Sequence, residues 1–252
     1  MSIIITGANR GLGKKLAEII KSSSKANSHI VITGRDEQSI KQVAEENKLD
    51  YAILDISDDD SIKNFPSQLQ QKGISSISVL VNNAAILNSG WEENNFQKTL
   101  KTNTFGTLSL IDAVLPLLSN GSRVVNVSSR LGQLSNISQN YQKLVTDSKT
   151  LEDFKNITFD PSDVDMQKAY APTYSLSKAI LNRATQILAA SDPFTTKNIS
   201  IACVCPGWCK TDMGGPSAHR TDEQGARSIL SLIERPELPT SKFFADEGEQ
   251  PW

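Results

Sequence analysis

Short β-branched runs recur along this chain and are apolar throughout instead of at alternate positions. They are "SIIIT" (2–6), "HIVIT" (29–33), "YAILD" (51–55), "ISVLVNNAA" (77–85), "RVVNVSS" (123–129), "ISIACVCPG" (199–207) and "KFFA" (242–245). Between them the apolar spacing becomes helical. After the first run, Leu12, Leu16, Ile19 and Ile20 are four, three and one apart and fall on one helix face. Further helices are expected near 37–47 and 59–72, over a long stretch from about 93 to 118, and from Pro172 to about Ala190.

A strand that is apolar on both sides belongs in a sheet buried on both faces. Its alternation with helices implies right-handed βαβ units. The expected fold is therefore α/β, a single Rossmann-type doubly wound parallel sheet of about seven strands with helices on both faces. The 252 residues suit one large domain, so residues 1–252 are read as a single domain. Ligands bind such sheets beyond the carboxyl ends of the strands, so site residues should follow the apolar runs.

One segment breaks the rhythm. Residues 133–169 are mostly polar, with Tyr141, Leu144, Leu151 and Phe154 as anchors, and Thr150 and Asp153 are spaced to cap a short helix. A connection this long is read as a partly helical insertion and not as core. The serine-rich "KSSSKANS" (21–28) reads as a helix-to-strand loop.

A formal net charge of −2, with 38% hydrophobic and 21% charged residues, fits a soluble globular chain and gives no basic excess for nucleic acid or a membrane. The N-terminus enters a strand at once, without a basic leader, and no apolar run approaches membrane-spanning length. Cys203, Cys205 and Cys209 lie close together, but the only histidines are His29 and His219. No metal site is expected, and reduced thiols in a cytoplasmic protein are the better reading.

"TGANRGLG" (6–13) lies between the first strand and the first helix. Gly7, Gly11 and Gly13 permit a tight turn and let backbone N–H groups, from Asn9 to Leu12, approach a pyrophosphate at the helix N-terminus. At the end of the second strand, "ITGRDE", Gly34 stands where an NAD enzyme usually carries an acid, and Arg35 follows. With Arg10 in the glycine turn, two cations favour the 2′-phosphate of NADP. A shift of one residue would instead make Asp36 the ribose-binding acid.

Tyr174 and Lys178, in "YSLSK", are spaced i and i+4, which puts them on one helix face. A phenol titrates near 10, and a neighbouring ammonium favours its ionised form, so Lys178 is expected to lower the Tyr174 pKa. Pro172 suits the first turn and sets Tyr174 near the helix start. Taken alone, each such residue has a plainer reading: Ser129 as a turn residue, Asn103 as a satisfied core amide, Trp208 as a packed aromatic.

In order and spacing, "TGANRGLG", "LDIS" (54–57), "VNNAA" (81–85), "KTNTFGT" (101–107), "VVNVSS" (124–129), "YSLSK" (174–178) and "CPGWCKTDM" (205–213) resemble the short-chain dehydrogenase/reductase family almost end to end. The long insertion before the tyrosine, and the ending "EGEQPW", are similar to its carbonyl reductase branch. The resemblance implies a catalytic tetrad of Asn103, Ser129, Tyr174 and Lys178, with Ser128 as the alternative serine. It implies that Asp55 and Ile56 border the adenine, that Asn82, Asn83 and Ala84 line the middle of the cofactor, and that Cys209, Lys210 and Thr211 reach its nicotinamide and phosphate side. Lys178 would also hold the nicotinamide ribose, and Asn103 a water of the proton path. Ala85 replaces the family's usual glycine, and Cys209 replaces a valine or isoleucine, which would set a thiol beside the nicotinamide.

The implied activity is NADPH-dependent reduction of ketone, aldehyde or quinone carbonyls, with Tyr174 as proton donor, and Ser129 and Trp208 at the substrate. Leu134, Trp208 and Met213 suggest apolar walls for a small-molecule carbonyl substrate. Oxidation of a secondary alcohol, or a non-catalytic cofactor-sensing role, are the alternatives. In related carbonyl reductases the insertion covers a helix face used for assembly, so a monomer is expected.

Overall fold

The computed structural model describes residues 1–23 and 28–252, so most of the "KSSSKANS" loop reading lies outside the described residues. The strands are β1 (Ser2–Ile5), β2 (His29–Gly34), β3 (Asp50–Ile53), β4 (Ile77–Asn82), β5 (Leu118–Val127), β6 (Ser200–Val204), β7 (Lys242–Ala245) and β8 (Gly248–Gln250). They form one sheet in the order β3-β2-β1-β4-β5-β6-β7-β8. Neighbours from β3 through β7 are parallel, and β8 turns back antiparallel on β7. This last strand is additional to the seven expected; at three residues, "GEQ", it has no apolar run to announce it.

The uninterrupted apolar runs follow from the pleat. Successive side chains of a strand point to opposite faces, so a sheet covered on both sides needs both sets apolar. Ile3 and Ile5 enter one core layer with Ile32, Val81, Val125 and Val204. There they meet α1 (Gly11–Ser22), α2 (Glu37–Asn47) and α10 (Asp222–Glu234). Ile4 enters the opposite layer with Val31, Leu80, Val124 and Ile201, against α3 (Asp59–Gln71) and α5 (Thr107–Val114).

The expected continuous helix over 93–118 is divided. α4 (Glu93–Leu100) passes through one π-helical turn, Lys101–Gly106, into α5, and a 3₁₀ turn at Leu115–Leu117 leads to β5 at Leu118. A single wider turn is too short to set up an apolar period of its own, so sequence pattern does not reveal it. Its position is fixed by contact: a Cβ on Gly106 would lie 1.7 Å from the Ile56 carbonyl oxygen. The backbone of the π turn thus rests directly on the loop that follows β3.

The insertion is more of a core element than its polarity suggested. It contains α6 (Gln139–Asp147), a 3₁₀ turn at Glu152–Asn156 and α7 (Val164–Lys168). Tyr141, Val145, Phe154, Ile157 and Met166 form a third buried cluster with Phe96 and Leu100 of α4 and with Leu176, Ile180 and Ala184 of α8 (Pro172–Ala189). The Tyr141 hydroxyl donates to Thr158 O at 2.8 Å and accepts from Asp160 N at 3.0 Å, while Trp91 Nε1 donates to Asp160 O at 2.7 Å. Thr150 and Asp153 cap each other reciprocally. Leu144, expected as an anchor, is exposed.

Gly106→Ala tests the contact beneath the π turn. The methyl group can be accommodated only by moving backbone, so a loss of about 3 kcal/mol is expected, read as a lower urea midpoint at unchanged slope.

Candidate active site

The strand order reverses direction between β1 and β4, which opens a crevice at their carboxyl ends. The glycine turn lines it. Gly7 and Gly11 have φ of +61° and +54°, and a Cβ on Gly7 would meet Ala84 Cα at 2.7 Å. At Gly13 a Cβ would lie 2.7 Å from Gly7 O, so this turn closes only on glycine. Asn83 fastens it to the end of β4: its Nδ2 donates to Thr6 O at 2.9 Å and Gly7 O at 3.0 Å, and Thr6 Oγ1 accepts from the Asn83 and Ala84 N–H groups. The helix start then offers N–H groups with no side-chain cap, a fit for a dinucleotide pyrophosphate.

Around the second strand, Asn9 Nδ2 donates to Ser39 Oγ at 3.2 Å, and buried Gly34 leaves Arg35 exposed beside it. Asp36 is the N-cap of α2, accepting from Ser39 N at 2.8 Å, and its hydrogen bonds from Ser39 hold its carboxyl below the usual range. The cap engages Oδ1 of this exposed carboxylate.

After β3, Asp55 Oδ1 accepts from the N–H and hydroxyl of Ser57, and Ile56 is buried. Asn82 is buried within the sheet, where its Nδ2 donates to Asn126 Oδ1 at 2.8 Å; Asn126 Nδ2 in turn donates to Thr185 Oγ1 on α8 at 2.9 Å.

Past β6, the loop through Lys210 and Thr211 crosses to the glycine turn, and a Cβ on Gly11 would lie 3.4 Å from Thr211 Cγ2. Cys209 is turned inward: the site of a Cβ on Gly225 lies 2.4 Å from its Sγ and 2.8 Å from Leu12 Cδ2. The thiol fills a notch in α10, where burial raises its pKa. Leu12 packs there too, leaving its backbone for the crevice. Cys203, Cys205 and Cys209 are all free.

Past β5 the two adjacent serines separate. Ser128 Oγ donates to Asn182 Oδ1 at 2.6 Å and is buried. Ser129 accepts from Leu131 N at 3.1 Å, and its side chain favours the ionised form of the nearby Tyr174 hydroxyl. The 3₁₀ turn Arg130–Gly132 lies flat on α8, where a Cβ on Gly132 would meet Lys178 Cβ at 2.6 Å. Helix α8 starts at Pro172 after Ala171, whose φ of +49° is an uncommon value for alanine.

Lys178 is buried, its Nζ donating to Val127 O at 2.8 Å and lying 5.6 Å from the Tyr174 ring centre. Burial lowers its pKa to about 8. Burial, with the neighbouring Cys205, raises the Tyr174 pKa, and the Ser129 side chain opposes the rise without cancelling it. The expected lowering of the phenol by Lys178 is therefore not met here. The ammonium is committed to a backbone carbonyl, and desolvation of the phenolate outweighs its attraction.

Asn103 sits in the π turn with its amide filled: Nδ2 donates to Ile86 O at 2.8 Å and Ser177 Oγ at 3.1 Å, and Oδ1 accepts from Ile86 N at 2.8 Å. Ser177, which sequence reasoning passed over, donates to Tyr174 O at 2.7 Å and so connects the asparagine to the tyrosine's own turn. Its place before Lys178 in "YSLSK" was the available signal.

Leu87, Tyr170, Trp208 and Met213 are exposed apolar residues around the carboxyl ends of β4 to β6. Trp208 is fixed by Nε1 donating to Gly214 O at 2.7 Å and by an edge contact with His219. Leu134 instead lines a cavity of about 170 Å³ with Trp252, against Ala179 and Arg183 on another stripe of α8.

Residues 1–141 match the family model described as short chain dehydrogenase. (+)-Neomenthol dehydrogenase of Arabidopsis thaliana is 30% identical, over 96% of this chain and 95% of its own. Carbonyl reductase (NADPH) 1 of Rattus norvegicus is also 30% identical, over 99% and 97%. The solved structure of salutaridine reductase from Papaver somniferum superposes with a TM-score of 0.84 at 23% identity, covering 97% of this chain and 99% of that one, a likeness of fold.

The buried lysine has a stability signature. Its amine titrates at about 8 in the folded chain and at about 10.4 when unfolded. The unfolded state therefore holds more protons between those values, and stability rises with pH across that window. Lys178→Met is expected to melt several degrees above the parent at pH 7, with the difference shrinking from pH 8 to 10; a pH-independent difference would contradict the assignment.

Proposed function

The chain belongs to the short-chain dehydrogenase/reductase family, and we propose that it reduces ketone, aldehyde or quinone carbonyls to alcohols with NADPH, Tyr174 serving as proton donor. The observation that carries this reading is the buried Lys178 Nζ, 5.6 Å from the Tyr174 ring centre and anchored on Val127 O at 2.8 Å, beside Ser129 at the end of β5. NADPH, when bound, supplies a hydride to the carbonyl carbon. Ser129 donates to the carbonyl oxygen as charge gathers on it, and Tyr174 delivers the proton. Burial favours the neutral phenol, which is the form a donor needs. The Lys178 ammonium compensates the tyrosinate left behind, and it holds the nicotinamide ribose.

Asn103 is chiefly a positioning residue, because both of its amide hydrogens are taken; only oxygen lone pairs remain for the water of the proton path. Gly7, Asn9, Gly11, Leu12 and Gly13 would surround the pyrophosphate, and Arg10 and Arg35 would hold the 2′-phosphate. Asp55 and Ile56 border the adenine, Asn83 and Ala84 the centre, and Lys210 and Thr211 the nicotinamide side. Asn82 and Cys209 support these groups from behind. Gly34 at the end of β2, followed by exposed Arg35, with Arg10 in the neighbouring glycine turn, supports NADP over NAD. The relative named as NADPH-dependent carbonyl reductase agrees with that preference.

Exposed Trp208, Met213, Tyr170 and Leu87 favour a bulky hydrophobic or aromatic carbonyl substrate. Oxidation of a secondary alcohol is the second reading, supported by the relative named neomenthol dehydrogenase. It requires phenolate, so it is expected to prevail only at higher pH. Residues 1–252 act as one domain, with 133–169 as the insertion. Free thiols suit a cytoplasmic location, and no described helix is long and apolar enough to cross a membrane.

Tyr174→Phe is expected to lower carbonyl-dependent NADPH consumption about a thousandfold while NADPH still binds. Unchanged turnover would sink the mechanism, and binding without turnover in the parent across a carbonyl panel would favour the cofactor-sensing alternative. Because the insertion covers α4 and α8, sedimentation is expected to give the mass of one chain; two or four chains would overturn the monomer.

A further inference from the structure

The ion pair between Arg10 and Asp212 joins residues 202 apart in sequence, with Arg10 Nη1 3.0 Å from Asp212 Oδ2. It spans the crevice. Arg10 belongs to the turn after β1, whereas Asp212 belongs to the loop after β6, which lies beyond β4 and β5 in the sheet. The reading above gives Arg10 to the 2′-phosphate, on the side of β2 and Arg35. In this structure the same guanidinium is drawn to the opposite side.

Both ends of the pair are held by backbone. Arg10 is the extended N-cap of α1, between Asn9, tied to Ser39, and Gly11. The Asp212 loop is closed on itself: Gly215 N donates to Thr211 O, Gly214 N to Thr211 Oγ1, and Trp208 Nε1 to Gly214 O. It is also fixed to the chain beyond it, since Lys210 N donates to Arg220 O and Arg220 N to Trp208 O. A carboxylate carried on such a loop is presented to Arg10 in a defined place.

We propose that Asp212 is a specificity-determining residue that competes with the 2′-phosphate of NADP(H) for Arg10, weakening binding of the phosphorylated cofactor and speeding its release. The inference rests on the assignment of Arg10 to that phosphate. A phosphate offers three oxygens and nearly two charges, against the single contact the carboxylate makes here, so it takes the guanidinium when the cofactor is bound. As the cofactor leaves, Asp212 recovers Arg10. Both side chains are 70% exposed, so the effect is a tuning one, about two- to fivefold. Tuning of that size matters where product release limits turnover.

The test uses Asp212→Asn, which keeps the shape and removes the charge. Calorimetry should give NADPH binding about threefold tighter, with NADH unchanged, and stopped-flow displacement should give NADP⁺ leaving more slowly by a similar factor. Combined with Arg10→Ala, the substitution should have no further effect on either cofactor. Weaker NADPH binding would make Asp212 a support for Arg10, an equal change for NADH and NADPH would make the pair a simple gate, and no change would make it surface decoration; each overturns the proposal. Arg10→Ala alone separates the two levels. If it fails to weaken NADPH more than NADH, the phosphate assignment falls and the competition with it. If it does weaken NADPH selectively while Asp212→Asn is silent, only the competition falls.

Discussion

The buried polar seam between α8 and the sheet is the constraint on which the site depends. From Pro172 to Asn182 every residue of α8 is buried, including Thr173, Ser175, Ser177, Lys178 and Asn182. Buried polar groups are costly unless paired, and each pairing here has a specific address. Lys178 goes to the last residue of β5, Asn182 to Ser128 and Gly132, Thr185 to Asn126, and Thr173 Oγ1 to Asn88 O. A purely apolar helix could rotate or slide over β5 and β6 with small loss. This one would leave several donors and acceptors unpaired, so the seam fixes its rotation and hence the direction in which Tyr174 points.

The π turn sets the other side of the tyrosine. One extra residue in the turn, together with Gly106, lets the backbone close on Ile56 while Asn103 reaches in the opposite direction to Ile86 and Ser177. Two loops, those after β3 and β4, and the start of α8 are thereby braced by one helical segment. Irregular turns of this kind carry a local cost, and they persist where the surrounding contacts require them. The bracing passes from the proposed adenine border to the proposed proton donor without a flexible linker between them.

Much of this could be read in the sequence because the relevant physics is local. The doubly covered sheet follows from Ile3, Ile4 and Ile5 all being apolar, and the crevice from the glycines of "TGANRGLG": Gly7 and Gly13 meet an obstruction at the missing Cβ, and Gly11 has a positive φ. What escaped was set by tertiary contact. Tyr141 and Phe154 were legible as anchors of the insertion, but the core they form with Met166 against α4 and α8 is built from residues too scattered to form a period. The π turn has no compositional mark. The inward turn of Cys209 depends on a glycine sixteen positions later, and Asp36 is a cap because Ser39 stands three residues on.

The charge states of Tyr174 and Lys178 are a consequence of the same enclosure. Spacing alone brings the amine near the ring, but how much it shifts the phenol depends on what else the amine holds and how dry the site is. Here the Val127 carbonyl takes the amine and burial favours neutral forms of both groups, downward for the lysine and upward for the tyrosine. A site balanced in that way readily gives a proton to a developing alkoxide, because the phenol begins protonated. It abstracts one from an alcohol less readily, because the phenolate must first be formed in a poorly solvated place. Within this frame burial sets the protonation state from which the tyrosine starts, and the lysine acts on the charge that appears after transfer, when an anion has come into being close to its ammonium.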